Sequence, residues 1–452
     1  MKGEMRFICA LILLISIPAV ATEAKFTPPA TIPLTCSISS APDDIKRMTL
    51  PGGTRVLLKQ EPESELAAIS VCIRMEPDAT TTEAVKGEMV VRSLFGSNRN
   101  RSREEFQSVL AKIGGSLETQ KTPEMVNITI LTLPDQVREA IRLVMESLKN
   151  ADFSKESLER ARKSLNETKR LREENGLLAA YTQLKQTIQG GLLDIDTEAG
   201  RLTTAQAELY YQTHYLPERT VIAITGQFDL KSVLSSLEIN CLDYTRKPVR
   251  SPDFRPVFRG VAPSSIPTIR QGGTSGFALI ACPSPSVASP DFPAFLTLQA
   301  LIGIGHASRL TRQTRELKGV GYAIGTLYNP QLSDPLILYF QWEAKKTGEA
   351  KPLSTEEALK LLSSQLDSIK TTPPDESELK RAKNVAIGKD ALLHERIKSR
   401  ASLLSWYEAM GLGFEFDRDL ADKISEVQLK ELQRVSEKYL KSRTSALAIP
   451  EQ

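Results

Sequence analysis

The chain has 452 residues, 41% of them hydrophobic and 25% charged, with a formal net charge of +3. That length is enough for two or three domains, and the composition is that of a globular protein. The small charge, with no basic block interleaved with aromatics, excludes the electrostatic footprint of a nucleic-acid binder.

Lys2 and Arg6 precede an apolar run over residues 7–17, closed by Pro18 and followed by the small residues Ala19, Val20, Ala21 and Ala24. This is the charged, apolar, small-residue order of a secretory signal, and the run is short for a membrane span. We expect a signal peptide over residues 1–21, cleavage after Ala21 or Ala24, and an exported protein, periplasmic or secreted. No second long apolar run follows, so no membrane span is expected after signal removal. Residues 22–43, rich in Pro, Ser and Thr, read as an extended leader. Four cysteines follow the signal. Cys72 and Cys282 sit in apolar, strand-like runs and read as buried thiols, while Cys36 and Cys241 either pair or stay free.

Residues 55–59 and 67–73 read as a strand pair around the turn-like Glu61-Pro62-Glu63-Ser64. A helix is expected over 83–95, then a Gly114-Gly115 turn. Val126, Ile128, Ile130 and Thr132 alternate onto one face of a strand over 126–133. An amphipathic helix ends near Lys149, a highly charged helix follows, and Tyr215-Leu216-Pro217-Glu218-Arg219-Thr220 leads into the apolar strand 221–224. Residues 244–268, with Pro248, Pro252, Pro256, Pro263 and Pro267, read as a linker.

Beyond the linker the same signals return in the same order. Glu139-Ala140-Ile141 has its counterpart in Glu357-Ala358-Leu359, and the charged stretch from Glu156-Ser157 in that from Glu376-Ser377. The closing Tyr215-Leu216 segment matches Tyr439-Leu440, which runs into the strand 444–449. Three matched pairs in register argue for duplication of one domain. The expected fold is α+β, in two homologous halves over 44–243 and 269–452, each an antiparallel-rich sheet packed with helices.

Leu94-Phe95, then Asn100-Arg101-Ser102 with Glu105-Phe106, then the Gly-Gly turn and the Tyr-Leu-Pro-Glu-Arg-Thr stretch resemble the N-terminal half of the pitrilysin/insulinase zinc metallopeptidases. That family carries H-x-x-E-H on its first helix: two histidines one turn apart grip zinc, and the glutamate takes a proton from the bound water. Aligned without gaps, this chain has Glu88 for the first histidine, Val91 for the base and Arg92 for the second histidine. A guanidinium offers no lone pair to a cation, and valine accepts no proton. Glu88 and Arg92 are instead spaced for an i,i+4 ion pair. The family's third ligand falls on Lys169, with Glu167 two residues away. The three histidines, His214, His306 and His394, share no ligand spacing, and His214 and His394 read as surface or boundary residues. The resemblance therefore implies a chain that binds no metal and no cofactor.

In the second half, Ser308-Arg309-Leu310 and Arg315-Glu316, with Gly319 and Tyr322, are similar to the family's S-R-L … R-E-x-x-G-x-x-Y pattern. There an arginine and a tyrosine reach the bound peptide, which implies substrate binding by Arg315 and Tyr322. The Gly303-Ile304-Gly305 segment is much shorter than the glycine-rich loop of the mitochondrial processing subunit. Family members built of two halves pair to enclose a chamber. The resemblance thus implies an exported, non-catalytic subunit of a heteromeric peptidase, with a homologous partner supplying zinc and a peptide as substrate. The alternative is a stand-alone peptide-binding or structural homodimer with no proteolytic partner.

Overall fold

A computed structural model of the chain describes residues 39–40, 45–76, 80–189, 195–241, 243–245, 266–316, 321–332, 335–344 and 353–451. The expected signal, nearly all of the leader and most of the linker lie outside the described residues.

The first half opens with strands β1 (Ser39–Ser40), β2 (Ile45–Thr49), β3 (Arg55–Gln60) and β4 (Ala67–Arg74). Helices α1 (Thr81–Ser93) and α2 (Arg103–Lys112) lead to β5 (Ser116–Lys121) and β6 (Met125–Thr132). Five helices follow: α3 (Val137–Lys149), α4 (Lys155–Glu173), α5 (Gly176–Gln189), α6 (Ile195–Arg201) and α7 (Thr204–His214). Strand β7 (Thr220–Gly226) and helix α8 (Leu230–Cys241) close the half. The second half runs through β8 (Thr268–Gln271), β9 (Ser275–Cys282), α9 (Phe292–Gly303), α10 (Arg309–Glu316), β10 (Gly321–Leu327) and β11 (Leu336–Glu343). It then continues through α11 (Thr355–Thr371), α12 (Glu376–Leu393), α13 (Ile397–Ala409), α14 (Glu415–Ser425), α15 (Leu429–Tyr439) and β12 (Thr444–Pro450).

Local chemistry sets the helix starts. Thr80 accepts from the Glu83 amide at 3.1 Å. Ser102 with Glu105, Thr203 with Gln206, and Ser354 with Glu357 each form a reciprocal capping box. Each cap is worth about 1 kcal/mol.

The sheets carry the duplication. The first is ordered β1-β2-β3-β7-β4-β6-β5 and the second, read in the same sense, β8-β12-β9-β11-β10. Take β3 for β8, β7 for β12, β4 for β9, β6 for β11 and β5 for β10, and every neighbour matches. The directions match as well: β3–β7 and β8–β12 are parallel, and the other shared pairs are antiparallel. The first half adds β1 and β2 at one edge and α8 after the closing strand. Each half is thus one copy of the expected α+β unit. Strands β5 and β10 are the outer strands at the corresponding ends of the two sheets.

The strand expected over 126–133 is β6, and it is buried more fully than its alternation alone requires. Alternation set Val126, Ile128, Ile130 and Thr132 on one face, and both faces prove buried, from Met125 to Ile130. The cause is an exchange of helices. Helix α13, from the second half, packs on β4, β6 and β7 of the first. Its counterpart α5, from the first half, packs on β8, β9 and β12 of the second. Leu177, Leu178, Tyr181 and Leu184 of α5 form one cluster with Leu279, Ile337 and Ala446.

The other seam is polar. Ser70 Oγ donates to Asn127 Oδ1 at 2.7 Å and shares a hydrogen bond with Ser405 Oγ at 2.8 Å. Asn127 Nδ2 donates to Ser402 Oγ at 2.6 Å. Glu408, 1% exposed, pairs with Arg47 and with Arg55, whose Nη1 lies 3.1 Å from Oε1. Polar groups buried this way are stable because their partners are present.

Candidate functional site

Helix α1 carries Glu88, Val91 and Arg92, the three positions that the ungapped alignment sets against the zinc motif. Arg92 Nε stands 3.6 Å from Glu88 Oε2, the i,i+4 pair that the sequence foretold. Arg92 Nη1 donates to Ser164 Oγ of α4 at 2.9 Å. Val91 is buried at 3% exposure within the first half's core. Val91 is therefore packing, and Arg92 is a cation tied to α4.

Gly87 lets two more groups approach the same helix. A Cβ there would lie 2.1 Å from Lys121 Cε and 2.5 Å from the Tyr210 hydroxyl. The missing side chain thus makes room for the buried stem of Lys121, from the end of β5, and for Tyr210 of α7. Arg172 of α4 adds a further charge. Burial pushes its guanidinium below the usual value, Glu88 opposes that shift, and Arg92 adds to it.

The third-ligand reading takes a different form in space. Glu167 turns to solvent, 2.9 Å from Arg170, and this arginine holds its carboxyl below the ordinary range. The face of α4 that reaches α1 carries Ser164 and Arg172, two turns apart. Sequence counting missed both; the signal available was their spacing of eight on one helix face. Zinc does not fit this set. Glu88 faces a fixed cation, and neither Val91, Arg92 nor Ser164 supplies a metal-binding nitrogen or carboxylate. No group of three or more His, Cys, Asp or Glu able to hold a metal occurs among the described residues.

Two of the motifs that carried the resemblance have evident structural work. Arg101 grips Glu146 of α3 through two bonds, at 3.2 and 2.9 Å, while Ser102 caps α2. Arg309 binds Glu378 of α12 at 3.1 and 2.7 Å and the Thr372 carbonyl at 2.8 Å. Arg315 falls in the last turn of α10, and Tyr322 is the second residue of the outer strand β10. Residues 317–320 between them lie outside the described residues.

Among the described residues, the histidines and cysteines show no nucleophilic arrangement. His214 Nδ1 lies 2.8 Å from the Tyr210 carbonyl, and its ring stacks on Tyr210. His394 is more than a boundary residue: its Nε2 lies 3.0 Å from both carboxylate oxygens of Asp417. The hydrogen bond to Asp417 raises its pKa to about 9, against the opposing effect of burial. Cys72, Cys241 and Cys282 are free, buried thiols. Burial pushes all three up to about 12, which keeps them protonated. Cys36 lies outside the described residues, so the pairing left open for it and Cys241 is seen only from the Cys241 side, as a thiol.

Two family models match the chain: Insulinase (Peptidase family M16) over residues 55–190 and Peptidase M16 inactive domain over 201–386. An uncharacterized zinc protease of Streptomyces coelicolor is 22% identical, over 90% of this chain and 89% of its own length. The non-peptidase homolog YmxG of Helicobacter pylori is 21% identical, over 77% of this chain and 81% of its own. A probable mitochondrial-processing peptidase subunit beta of Arabidopsis thaliana is 24% identical, but over only 44% of this chain and 39% of that protein. Among solved structures, a peptidase M16 inactive domain from Pseudomonas fluorescens superposes with a TM-score of 0.76 at 16% identity, over 90% of this chain and 98% of that one.

Proposed function

Because this chain belongs to the insulinase family of peptidases, M16, and keeps the family fold while its metal-ligand positions are replaced, we propose that it is an exported, non-catalytic subunit of a heteromeric zinc peptidase. The observation that carries the reading is the Glu88–Arg92 ion pair, 3.6 Å apart where the two histidines would stand. A chain that had simply lost its fold would not keep both halves, the capping boxes and the Arg101 and Arg309 anchors around that change.

In this reading a homologous partner holds the zinc, and the two chains enclose a chamber. A peptide lies along the outer strand β5 and adds to the sheet through main-chain hydrogen bonds, which tolerates many sequences. Arg315 and Tyr322 contribute donors to the peptide's carbonyl groups from the second half. The signal-like segment over residues 1–21 sends the chain to the periplasm or outside the cell.

The test is purification of the native exported protein with whatever accompanies it. Co-purification of an H-x-x-E-H homologue, with peptidase activity in the mixture and none in this chain alone, is the expected result. A homogeneous dimer of this chain, with no second polypeptide at any salt concentration, would overturn the partnership and favour the stand-alone homodimer.

A further inference from the structure

The second half holds its own version of the locus just described. Helix α9 occupies the place of α1, and α12 that of α4. Gln299 is the eighth residue of α9, as Glu88 is of α1. Lys389 of α12 reaches it, with Nζ 3.2 Å from Gln299 Oε1. Gln299 is 1% exposed, and its Nε2 has no hydrogen-bond partner. One turn further along the same face, Gly303 makes room for Thr326 of β10, whose Cγ2 would lie 2.5 Å from a Cβ at 303. Thr326 Oγ1 is likewise buried without a partner.

Two buried polar atoms and one ammonium therefore flank a single face of α9. Unpartnered buried donors are rare in native proteins, because each forfeits its hydration. No carboxylate acts on the Lys389 amine, and burial alone pushes it down to about 8. The locus thus has one cationic donor, one amide donor, a hydroxyl able to donate or to accept, and the acceptor Gln299 Oε1.

We propose that this locus is a binding site for a carboxylate, with Lys389 Nζ, Gln299 Nε2 and Thr326 Oγ1 donating to its two oxygens. One negative charge against one ammonium favours a monoanion over a phosphate dianion, and three donors suit two oxygens with their four lone-pair positions. The carboxylate comes from a peptide's chain end, from an acidic side chain or from a small free acid. The inference is independent of the proposed partnership, since it concerns this chain alone.

The probe is sodium acetate, with acetamide and inorganic phosphate at matched ionic strength as controls. The readout is the carbon-13 resonance of the Lys389 Cε, assigned by its loss in Lys389→Met. Acetate should shift it saturably, and acetamide and phosphate should not. Gln299→Leu should weaken acetate binding about tenfold, the effect of losing one hydrogen bond to a charged group. Thr326→Val, which keeps the side chain's shape, should weaken it in the same direction; it remains informative if the larger changes unfold the chain, which circular dichroism would show. Competition then identifies the source. Displacement by a free-ended peptide but not by its amide marks the chain end. Displacement by an amidated peptide with an internal aspartate marks the side chain, and no displacement by either marks a small acid. No saturable shift with acetate, an equal shift with acetamide, or undiminished binding in both Gln299→Leu and Thr326→Val would overturn the proposal.

Discussion

Arg92 Nη1 donates to Ser164 Oγ at 2.9 Å, so the residue that the ungapped alignment sets against the family's second histidine ties α1 to α4. The contact between these two helices is held by a guanidinium. Glu88→Ala should therefore cost less than about 1 kcal/mol, because a partly exposed i,i+4 pair contributes a few tenths and the Ser164 bond remains. Urea unfolding checks this; a loss of several kcal/mol would mean that the Glu88 carboxylate holds Arg92 in place.

The buried seam between the halves should be far more sensitive. Glu408→Ala takes the shared carboxylate from the half-buried Arg47 and Arg55, which costs about 2–3 kcal/mol. Asn127→Ala takes one partner from Ser70, which keeps its bond to Ser405, and one from Ser402, and should cost about 1–2 kcal/mol. Because α5 and α13 each cover the other half's sheet, both variants should shift one common unfolding transition. Two separate transitions in calorimetry would show that the halves fold independently.

A pH effect follows from His394. Its folded pKa, about 9, lies above the ordinary value of 6.5. The stabilisation is thus fully present below about pH 6.5 and is lost as pH rises through 9. After allowance for its partial exposure, it amounts to about 2 kcal/mol. Asp417→Asn should flatten the stability profile between pH 6.5 and 9. Neighbouring Asp390 acts in a lower window: burial raises its carboxyl to about 6, so its contribution falls as pH rises from about 4 to 6. An unchanged slope from pH 6.5 to 9 in Asp417→Asn would refute the assignment to His394.

Much of this was legible in the chain itself. The two halves announce themselves through three repeated segments, and the Glu88–Arg92 pair follows from spacing alone, since a helix puts i and i+4 on one face. The helix exchange was not legible. The apolar face of residues 176–189 says that a helix is buried, but not that the sheet beneath it belongs to the other half. For the same reason the alternation over 126–133 gave no hint that α13 covers its second face. The contact of Arg92 with Ser164 was not legible either, because counting along the chain does not say which face of α4 meets α1. His394 stands at the boundary, as expected, but its pairing with Asp417 was not legible because Asp417 lies on a different helix.

Arg315 and Tyr322 are tested in the mixed complex. If a zinc-bearing partner is found, Arg315→Ala or Tyr322→Phe should lower peptide cleavage by about a hundredfold, the usual effect of removing one donor to a developing oxyanion. A donor that mainly holds the peptide would raise the half-saturating concentration instead. Glu88→Ala, in the replaced locus, should leave the rate nearly unchanged. Full activity with both Arg315 and Tyr322 replaced would remove them from the substrate site.

Metal analysis of the purified chain, paired with an assay on an unstructured peptide, bears most directly on the replaced zinc site. The Glu88–Arg92 pair and the packed Val91 predict no stoichiometric zinc after dialysis against a zinc-containing buffer, and no cleavage by the chain alone. One tightly held zinc per chain, or cleavage that a chelator abolishes, would contradict the account.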